Sequence, residues 1–253
     1  MKILSGGAAV ISLAEFTSTE GTRRFRTPIS AAMGARDIAQ TVSVYSPGLA
    51  PSRRNTVSEE TLYLLRGSGR CNINGCRYDL HPGTAVYIPP AAAYQIANTS
   101  EEEMEIVSVC CPEEKNAEMD VTIFERQVSD APALTLHESE RESIPVSDRT
   151  FKYLVNDEVG CRQITQFLGF IPPGRAPMHY HTYEEAIYII EGEGRVHIQG
   201  ESANFRAGSS IYLPRGVRHS LENTGATAIR LLGVFHPSGS PAVAYEDEEV
   251  KKK

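Results

Sequence analysis

Apolar residues along the chain occur in short runs that are separated by glycine, proline and other turn-forming residues. Residues 186–190 are continuously apolar and rich in β-branched side chains, as expected for a strand that is buried on both faces. Gly192 and Gly208 fit tight turns at the ends of strands. Long stretches with helical periodicity are absent. The pattern therefore predicts an all-β fold of many short strands.

The chain contains an internal repeat. Residues 33–51 align with residues 159–177 at an offset of 126, and after a slip of one residue the offset is 125. The aligned pairs are Gly34/Gly160, Arg36/Arg162, Ile38/Ile164, Gln40/Gln166, Glu60/Glu185, Tyr63/Tyr188, Gly67/Gly192, Gly83/Gly208, Tyr87/Tyr212, Pro89/Pro214 and Asn98/Asn223. A fixed offset over this length indicates one structural unit used twice. Residues that both halves share are expected to serve the fold.

Three potential metal ligands, His179, His181 and Glu185, lie close together in the second half, and His219 follows. Because alternate residues of a strand share a face, we expect the first three side chains to point the same way. The neighbouring Glu184 is expected to point outward and to form a surface salt bridge. Imidazole and carboxylate ligands suit Fe(II), Mn(II), Ni(II), Zn(II) or Cu(II). The alternative, four polar side chains that satisfy one another in a core, is disfavoured because burying them without a partner is costly.

This stretch resembles the cupin family. The family's first motif, Gly-x5-His-x-His-x3,4-Glu-x6-Gly, is matched from His179 to Gly192, with Gly174 one residue short of the expected spacing. Its second motif, Gly-x5-Pro-x-Gly-x2-His-x3-Asn, is matched without a gap by Gly208, Pro214, Gly216, His219 and Asn223. With the repeat, the resemblance implies a bicupin, which is an all-β protein of two tandem cupin (double-stranded β-helix or jelly-roll) barrels. It also implies a metal site in the C-terminal barrel alone.

The first half differs at the ligand positions. Arg54, Thr56 and Tyr94 align with His179, His181 and His219, and only Glu60 keeps its counterpart, Glu185. Arginine stays protonated in proteins and is therefore not a metal ligand. We predict that the first barrel binds no metal, that Arg54 and Glu60 form an ion pair in its place, and that Tyr94 hydrogen-bonds to that pair.

The repeat and the changes in composition predict the domain boundaries. Residues 1–111 form the N-terminal barrel, residues 112–147 an acidic connection, residues 148–238 the C-terminal barrel and residues 239–253 a charged tail. The apolar stretch in residues 1–16 is interrupted by glycine and serine and has no cleavage signal after it, which favours an N-terminal strand or arm over a signal peptide.

Composition excludes some classes of function. The net charge of −7 argues against a nucleic-acid partner. No apolar run is long enough to cross a bilayer, so a membrane partner is not expected. The five cysteines are odd in number and show no CxxC motif, which favours a reducing, cytoplasmic setting.

The resemblance implies a metal-dependent enzyme that acts on a small organic substrate with one divalent metal ion. Fe(II) or Mn(II) is favoured, and Zn(II) or Ni(II) is the alternative. Within that class we favour a dioxygenase-type oxidoreductase. A hydrolase or isomerase, such as a protein similar to ureidoglycine aminohydrolase, is an alternative, although that family has Glu and Gln where this chain has His179 and His219. A metal-containing module that binds a small ligand without turnover is another. Assembly as a homodimer stays open.

Overall fold

The computed structural model describes residues 1–12, 14–126 and 131–242. Most of the charged tail predicted for residues 239–253 lies outside these residues. Within them the protein consists of β-strands and short 3-10 helices, with no α-helix. The 3-10 helices are Ser5–Gly7, Ala31–Met33, Glu138–Glu140 and Asp157–Val159. The all-β prediction is therefore confirmed.

The strands fall into two groups, each forming a barrel, and two further strands precede the first group. These two are β1 (Lys2–Ile3) and β2 (Ala9–Ile11). The first group comprises β3 (Ser18–Glu20), β4 (Arg23–Ile29), β5 (Ala39–Tyr45), β6 (Gly48–Leu49), β7 (Arg53–Arg54), β8 (Glu59–Arg66), β9 (Gly69–Ile73), β10 (Cys76–Leu80), β11 (Thr84–Ile88), β12 (Ala93–Asn98), β13 (Met104–Cys111), β14 (Glu118–Met119) and β15 (Thr135–His137). The second comprises β16 (Ile144–Val146), β17 (Arg149–Val155), β18 (Thr165–Ile171), β19 (Gly174–Arg175), β20 (Glu184–Glu191), β21 (Glu193–Ile198), β22 (Glu201–Arg206), β23 (Ser210–Leu213), β24 (His219–Asn223) and β25 (Ile229–His236).

Each barrel has two antiparallel sheets. In the first barrel, one sheet has the order β15-β11-β8-β13-β5-β4-β3 and the other β10-β9-β12-β7-β14, with β6 paired to β12. In the second barrel, the larger sheet has the order β1-β2-β23-β20-β25-β18-β17-β16 and the smaller β19-β24-β21-β22. Separate apolar clusters fill the interiors of the first and second barrels. Two packed layers of this kind leave room for a ligand between them.

The strand segment that precedes each barrel in the chain pairs with the other barrel. The arm strand β2 pairs with β23 of the second barrel, where Val10 lies opposite Ile211. Reciprocally, β15 of the connection pairs with β11 of the first barrel, where Leu136 lies opposite Ala85. The boundaries 1–111, 112–147 and 148–238 stay a prediction. They place β2 in the N-terminal barrel, whereas this strand pairs with a strand of the second barrel.

A third apolar cluster joins the barrels to each other. It contains buried residues of both halves, among them Tyr63, Val109, Leu168 and Ala186. The outer faces of the two larger sheets therefore pack against each other, which buries apolar surface that an isolated barrel would leave in water.

Two buried carboxylates frame this interface. Glu184 is 1% exposed and accepts hydrogen bonds from the backbone N–H groups of Arg36 (2.6 Å) and Asp37 (3.1 Å) and from the hydroxyl of Tyr212. The prediction that Glu184 lies at the surface is wrong, because the face of β20 opposite the barrel interior packs against the other barrel.

The same arrangement recurs on the other side of the interface. Glu59 accepts hydrogen bonds from the backbone N–H groups of Arg162 (3.0 Å) and Gln163 (2.7 Å) and from the hydroxyl of Tyr87 (3.0 Å). The offsets of the sequence repeat relate this set of residues to the set around Glu184, so the internal repeat corresponds to a pseudo-twofold pair of contacts between the barrels.

The predicted tight turns are confirmed at both motif glycines. Gly192 and Gly208 have φ angles of +91° and +83°, a region that side-chain-bearing residues rarely adopt. A Cβ atom at Gly192 would also lie 3.1 Å from the Cα of Ile229.

The five cysteines are buried thiols. No helix in the described residues has the length and apolar character needed to span a membrane.

Candidate metal centre

Three histidines converge inside the second barrel. One ring nitrogen from each of His179, His181 and His219 lies within 4.8 Å of the others. His179 and His219 face each other as an antiparallel pair that exchanges two backbone hydrogen bonds of 3.0 and 2.8 Å. This pairing holds the two rings 4.4 Å apart between centroids. Backbone geometry thus brings imidazoles together that lie forty residues apart in the chain.

The backbone also orients two of the rings. The Nδ1 atom of His179 lies 2.9 Å from the carbonyl oxygen of Pro177, and the Nδ1 atom of His219 lies 3.0 Å from that of Val217. A carbonyl oxygen only accepts hydrogen bonds, so in each neutral ring Nδ1 carries the proton and Nε2 carries the lone pair. Fixing the tautomer through the second nitrogen in this way is typical of histidines that bind metals.

Glu185 lies beside this group. Its carboxylate is 4.0 Å from Nε2 of His219, and the residue is 5% exposed. No carboxylate oxygen of Glu185 lies within 4.8 Å of the ring nitrogens of all three histidines. Burial raises the pKa of Glu185 to about 8, and burial together with the neighbouring His179 lowers the pKa of His219 well below its usual range. A cation bound here would offset the cost of burying the carboxylate, so the donor set fits a divalent metal.

The structural reason for this convergence differs from the one that the sequence predicted. His179 and His181 lie before β20, and the chain bends at residues 182–183. Strand alternation therefore does not run from the histidines to Glu185. Instead, His179 pairs with His219 of the smaller sheet, whereas Glu185 belongs to the larger sheet. The side chains meet because the two sheets of the barrel face each other.

The cavity that holds these groups has a volume of about 70 Å³ and largely apolar walls. Four phenylalanines line it: Phe151, Phe167, Phe170 and Phe235. Arg149 is the lining side chain with a permanent positive charge. Two of its nitrogens donate to the carboxylate of Asp148, and its Nη1 has no protein acceptor within the described parts of the chain. No sequence motif singles out Arg149, although the repeat offset of 126 aligns it with Arg23.

In the first barrel the register differs by one residue from the predicted alignment. Tyr94 pairs with Arg53 on the neighbouring strand, as His219 pairs with His179. The residue that stands at the position of His179 is therefore Arg53. The slip in the repeat offset comes after this strand, not before it, so Asn55 replaces His181.

The predicted ion pair between Arg54 and Glu60 is wrong. Arg54 forms a partly exposed pair with Glu118 at 2.8 Å. Glu60 instead accepts hydrogen bonds of 2.8 Å from the side-chain amide of Asn55 and from the hydroxyl of Tyr94, the latter as predicted. That this barrel holds no metal stays a prediction.

We expect Glu60 to make stability depend on pH. Burial raises its pKa, but Arg53 and the two hydrogen bonds outweigh burial, so the pKa lies below the usual value. A carboxylate with a lowered folded-state pKa stabilises the protein above its unfolded-state pKa of about 4.3, and this contribution is lost as the pH falls further.

The test compares the wild type with Glu60→Gln by urea unfolding between about pH 6 and about pH 3. The advantage of the wild type in free energy of unfolding should shrink as the pH falls. An advantage that stays constant over this range would contradict the assignment of a lowered pKa.

Comparison with known proteins identifies the same domain family in both halves of the chain. Residues 42–110 and 167–235 each match the cupin domain family. The chain is 36% identical over 96 residues to the polyketide synthase protein CurC of Streptomyces cyaneus, covering 36% of this chain and 61% of the relative. It is 39% identical over 67 residues to the oxalate-binding protein of Thermotoga maritima, covering 26% and 55%. The matches thus span little more than half the length of these relatives.

A solved structure extends the likeness to both barrels. The oxalate decarboxylase of Lactobacillus farciminis, in its formate complex, superposes with a TM-score of 0.74 at 16% sequence identity. The superposition covers 91% of this chain and 87% of that one. At this level of identity the superposition shows a shared fold, and a shared fold does not establish a shared activity.

Proposed function

This chain belongs to the cupin family as a protein of two cupin domains, and on that basis we propose that its second barrel is a metal-dependent enzyme site for a small organic anion. The observation that carries the proposal is the convergence of His179, His181 and His219 beside the buried Glu185. The histidines are the proposed ligands, with Glu185 as the fourth.

The proposed cofactor is one divalent ion, with Fe(II) or Mn(II) favoured over Zn(II) or Ni(II). Imidazole and carboxylate ligands are compatible with each of these ions. When bound, such an ion supplies a Lewis-acidic centre to which a substrate oxygen can bind. The chain itself contributes the orientation of the rings through the carbonyl groups of Pro177 and Val217, and the exclusion of water by the phenylalanine walls.

The lining of the cavity favours a substrate with both a negative charge and an apolar part. Arg149 offers a guanidinium nitrogen to a carboxylate, a pairing that arginine makes with specific geometry. Phe151, Phe167 and Phe170 offer ring surfaces that stabilise apolar groups. A small aryl or alkyl carboxylate can contact both the guanidinium and the aromatic rings. A dicarboxylate that has no apolar part would leave the apolar walls without a contact.

The favoured reaction is a dioxygenase-type oxidation of such a substrate. The competing function is binding without turnover, which is favoured by the similarity to the oxalate-binding protein of Thermotoga maritima. Oxygen uptake and product analysis by metal-loaded protein, with a panel of small carboxylates and phenols, separate the two. Binding of these compounds without conversion would support the binding module.

Arg149→Gln tests the substrate class. We expect the KM or Kd for carboxylates to rise about 10-fold or more, because a hydrogen bond to a charged group is lost, while values for uncharged phenols stay unchanged. Steady-state kinetics or calorimetry measures the difference. Arg195→Gln is the matched control, since Arg195 bonds to Asn204 on the exposed surface of the same barrel. An equal loss for carboxylates and phenols would contradict the assigned role.

A further inference from the structure

The first barrel encloses a cavity of its own. Its volume is about 320 Å³, larger than the cavity of the second barrel, and it lies at the equivalent position. Arg23 and Phe25 line it, and at the offset of 126 they correspond to Arg149 and Phe151 of the second barrel. A volume of this size lies at the lower end of the range for small-molecule sites.

Two guanidinium groups reach this cavity. Arg23 packs over the ring of Phe25 at 4.2 Å and is held by Ser43 and Glu20, but its Nη2 has no acceptor within the described residues. Arg53 donates from Nη2 to Asn55, and its Nη1 and its buried Nε likewise have no acceptor there. The two Nη atoms are not among the fully buried unsatisfied atoms, so they border open space.

The acidic residues around the cavity are already engaged. Glu60 accepts from Asn55 and Tyr94. The rim residues Glu113 and Glu114 accept backbone N–H groups at 2.7 and 2.8 Å, from Ala31 and Thr56 respectively. The remaining acid, Glu20, takes up Nη1 of Arg23. These contacts leave guanidinium donors, together with Lys115, available to an incoming anion.

The position of Arg53 gives these donors a consistent explanation. It stands where the second barrel has His179, so a permanently charged guanidinium replaces a residue proposed to hold a metal ion. From this geometry we propose that the first barrel is a metal-free binding site for a small organic carboxylate, held between Arg23 and Arg53. This site is separate from the metal centre of the second barrel, and the proposal does not depend on turnover at that metal centre.

Calorimetric titration of full-length protein with benzoate, succinate and inorganic phosphate tests the proposal. His181→Ala is used beside the wild type, so that binding at the metal is separated from binding in the first barrel. We expect carboxylate binding that survives in His181→Ala and weakens about 10-fold or more in Arg53→Gln and in Arg23→Gln. The matched control is Arg54→Gln, which removes the same charge one residue away on the surface and should leave the affinity unchanged.

Arg53→Lys distinguishes the loss of a binding group from a loss of folding. It keeps the positive charge but not the planar fork, so it should bind with intermediate affinity in a protein whose near-ultraviolet circular dichroism matches the wild type. The proposal is overturned if His181→Ala binds neither carboxylate, if phosphate alone binds, or if the Arg53 and Arg23 variants that remain folded bind as tightly as Arg54→Gln.

Discussion

Replacing His181 with alanine should remove the metal from the protein. We expect the wild type, purified without chelator or added metal, to carry about one equivalent of a divalent ion, and His181→Ala to carry almost none. Loss of groups that merely orient a metal ligand costs about 10- to 100-fold in affinity, and loss of a ligand itself should cost more. Elemental analysis of both proteins measures the outcome.

Stability provides a second readout of the same change. A ligand that binds only the folded state stabilises it by about 2.7 kcal/mol at a concentration 100 times its Kd. Adding metal to protein that a chelator has first stripped of metal should therefore raise the melting temperature of the wild type and leave that of His181→Ala nearly unchanged. His197→Ala is the matched control, because His197 bonds to Glu222 outside the cluster.

Several outcomes would change the interpretation. Two equivalents in the wild type would mean that the first barrel also binds metal, contrary to the prediction that it holds none. A full equivalent in His181→Ala would mean that the three-histidine cluster is not the site. The absence of metal from both proteins, after reconstitution also fails, would leave a ligand-binding function without a metal.

Replacing Glu184 with alanine should destabilise the whole protein. Its carboxylate accepts two backbone N–H groups and the hydroxyl of Tyr212, and it is 1% exposed. Each buried donor left without an acceptor costs about 1–3 kcal/mol, so we expect a loss of about 3–5 kcal/mol. In a protein of this size that corresponds to a fall in melting temperature of about 10 °C.

Glu191→Ala is the matched control for this prediction. Glu191 ends the same strand, but its side chain is 65% exposed and pairs with Arg230. Exposed ion pairs contribute little, so this variant should melt close to the wild type. Glu59→Ala should be destabilised as strongly as Glu184→Ala, since the two carboxylates make equivalent contacts. Comparable melting of Glu184→Ala and Glu191→Ala, measured by calorimetry, would contradict the role given to the interface.

The fold was largely predictable from local sequence. Short apolar runs between turn residues predict strands, and a repeat at a nearly fixed offset predicts two equivalent barrels, because strand formation and tight turns depend on nearby residues. The spacing that singled out His179, His181 and His219 likewise led to side chains that lie together in the structure. The turns at Gly192 and Gly208 follow from the one residue that adopts positive φ without strain.

Other features depended on which strands lie side by side. The pairing of Tyr94 with Arg53 assigned the position of His179 to Arg53, whereas alignment of the sequence alone assigned it to Arg54. A slip of one residue is invisible in sequence where the two halves share no identical residue, yet it moves a side chain to the opposite face of a strand. The proposed anion site follows from this register.

The sequence by itself determined the strands, their turns, the repeat and the set of candidate ligands, because each rests on residues that are neighbours in the chain. The tertiary structure decided the burial of Glu59 and Glu184, the crossing of β2 to the second barrel, and the meeting of Glu185 with the histidines across two sheets. Those outcomes depend on contacts between segments more than a hundred residues apart or on opposite sheets. Which surfaces meet is set by the shape and apolar area of whole barrels, and no local pattern encodes it.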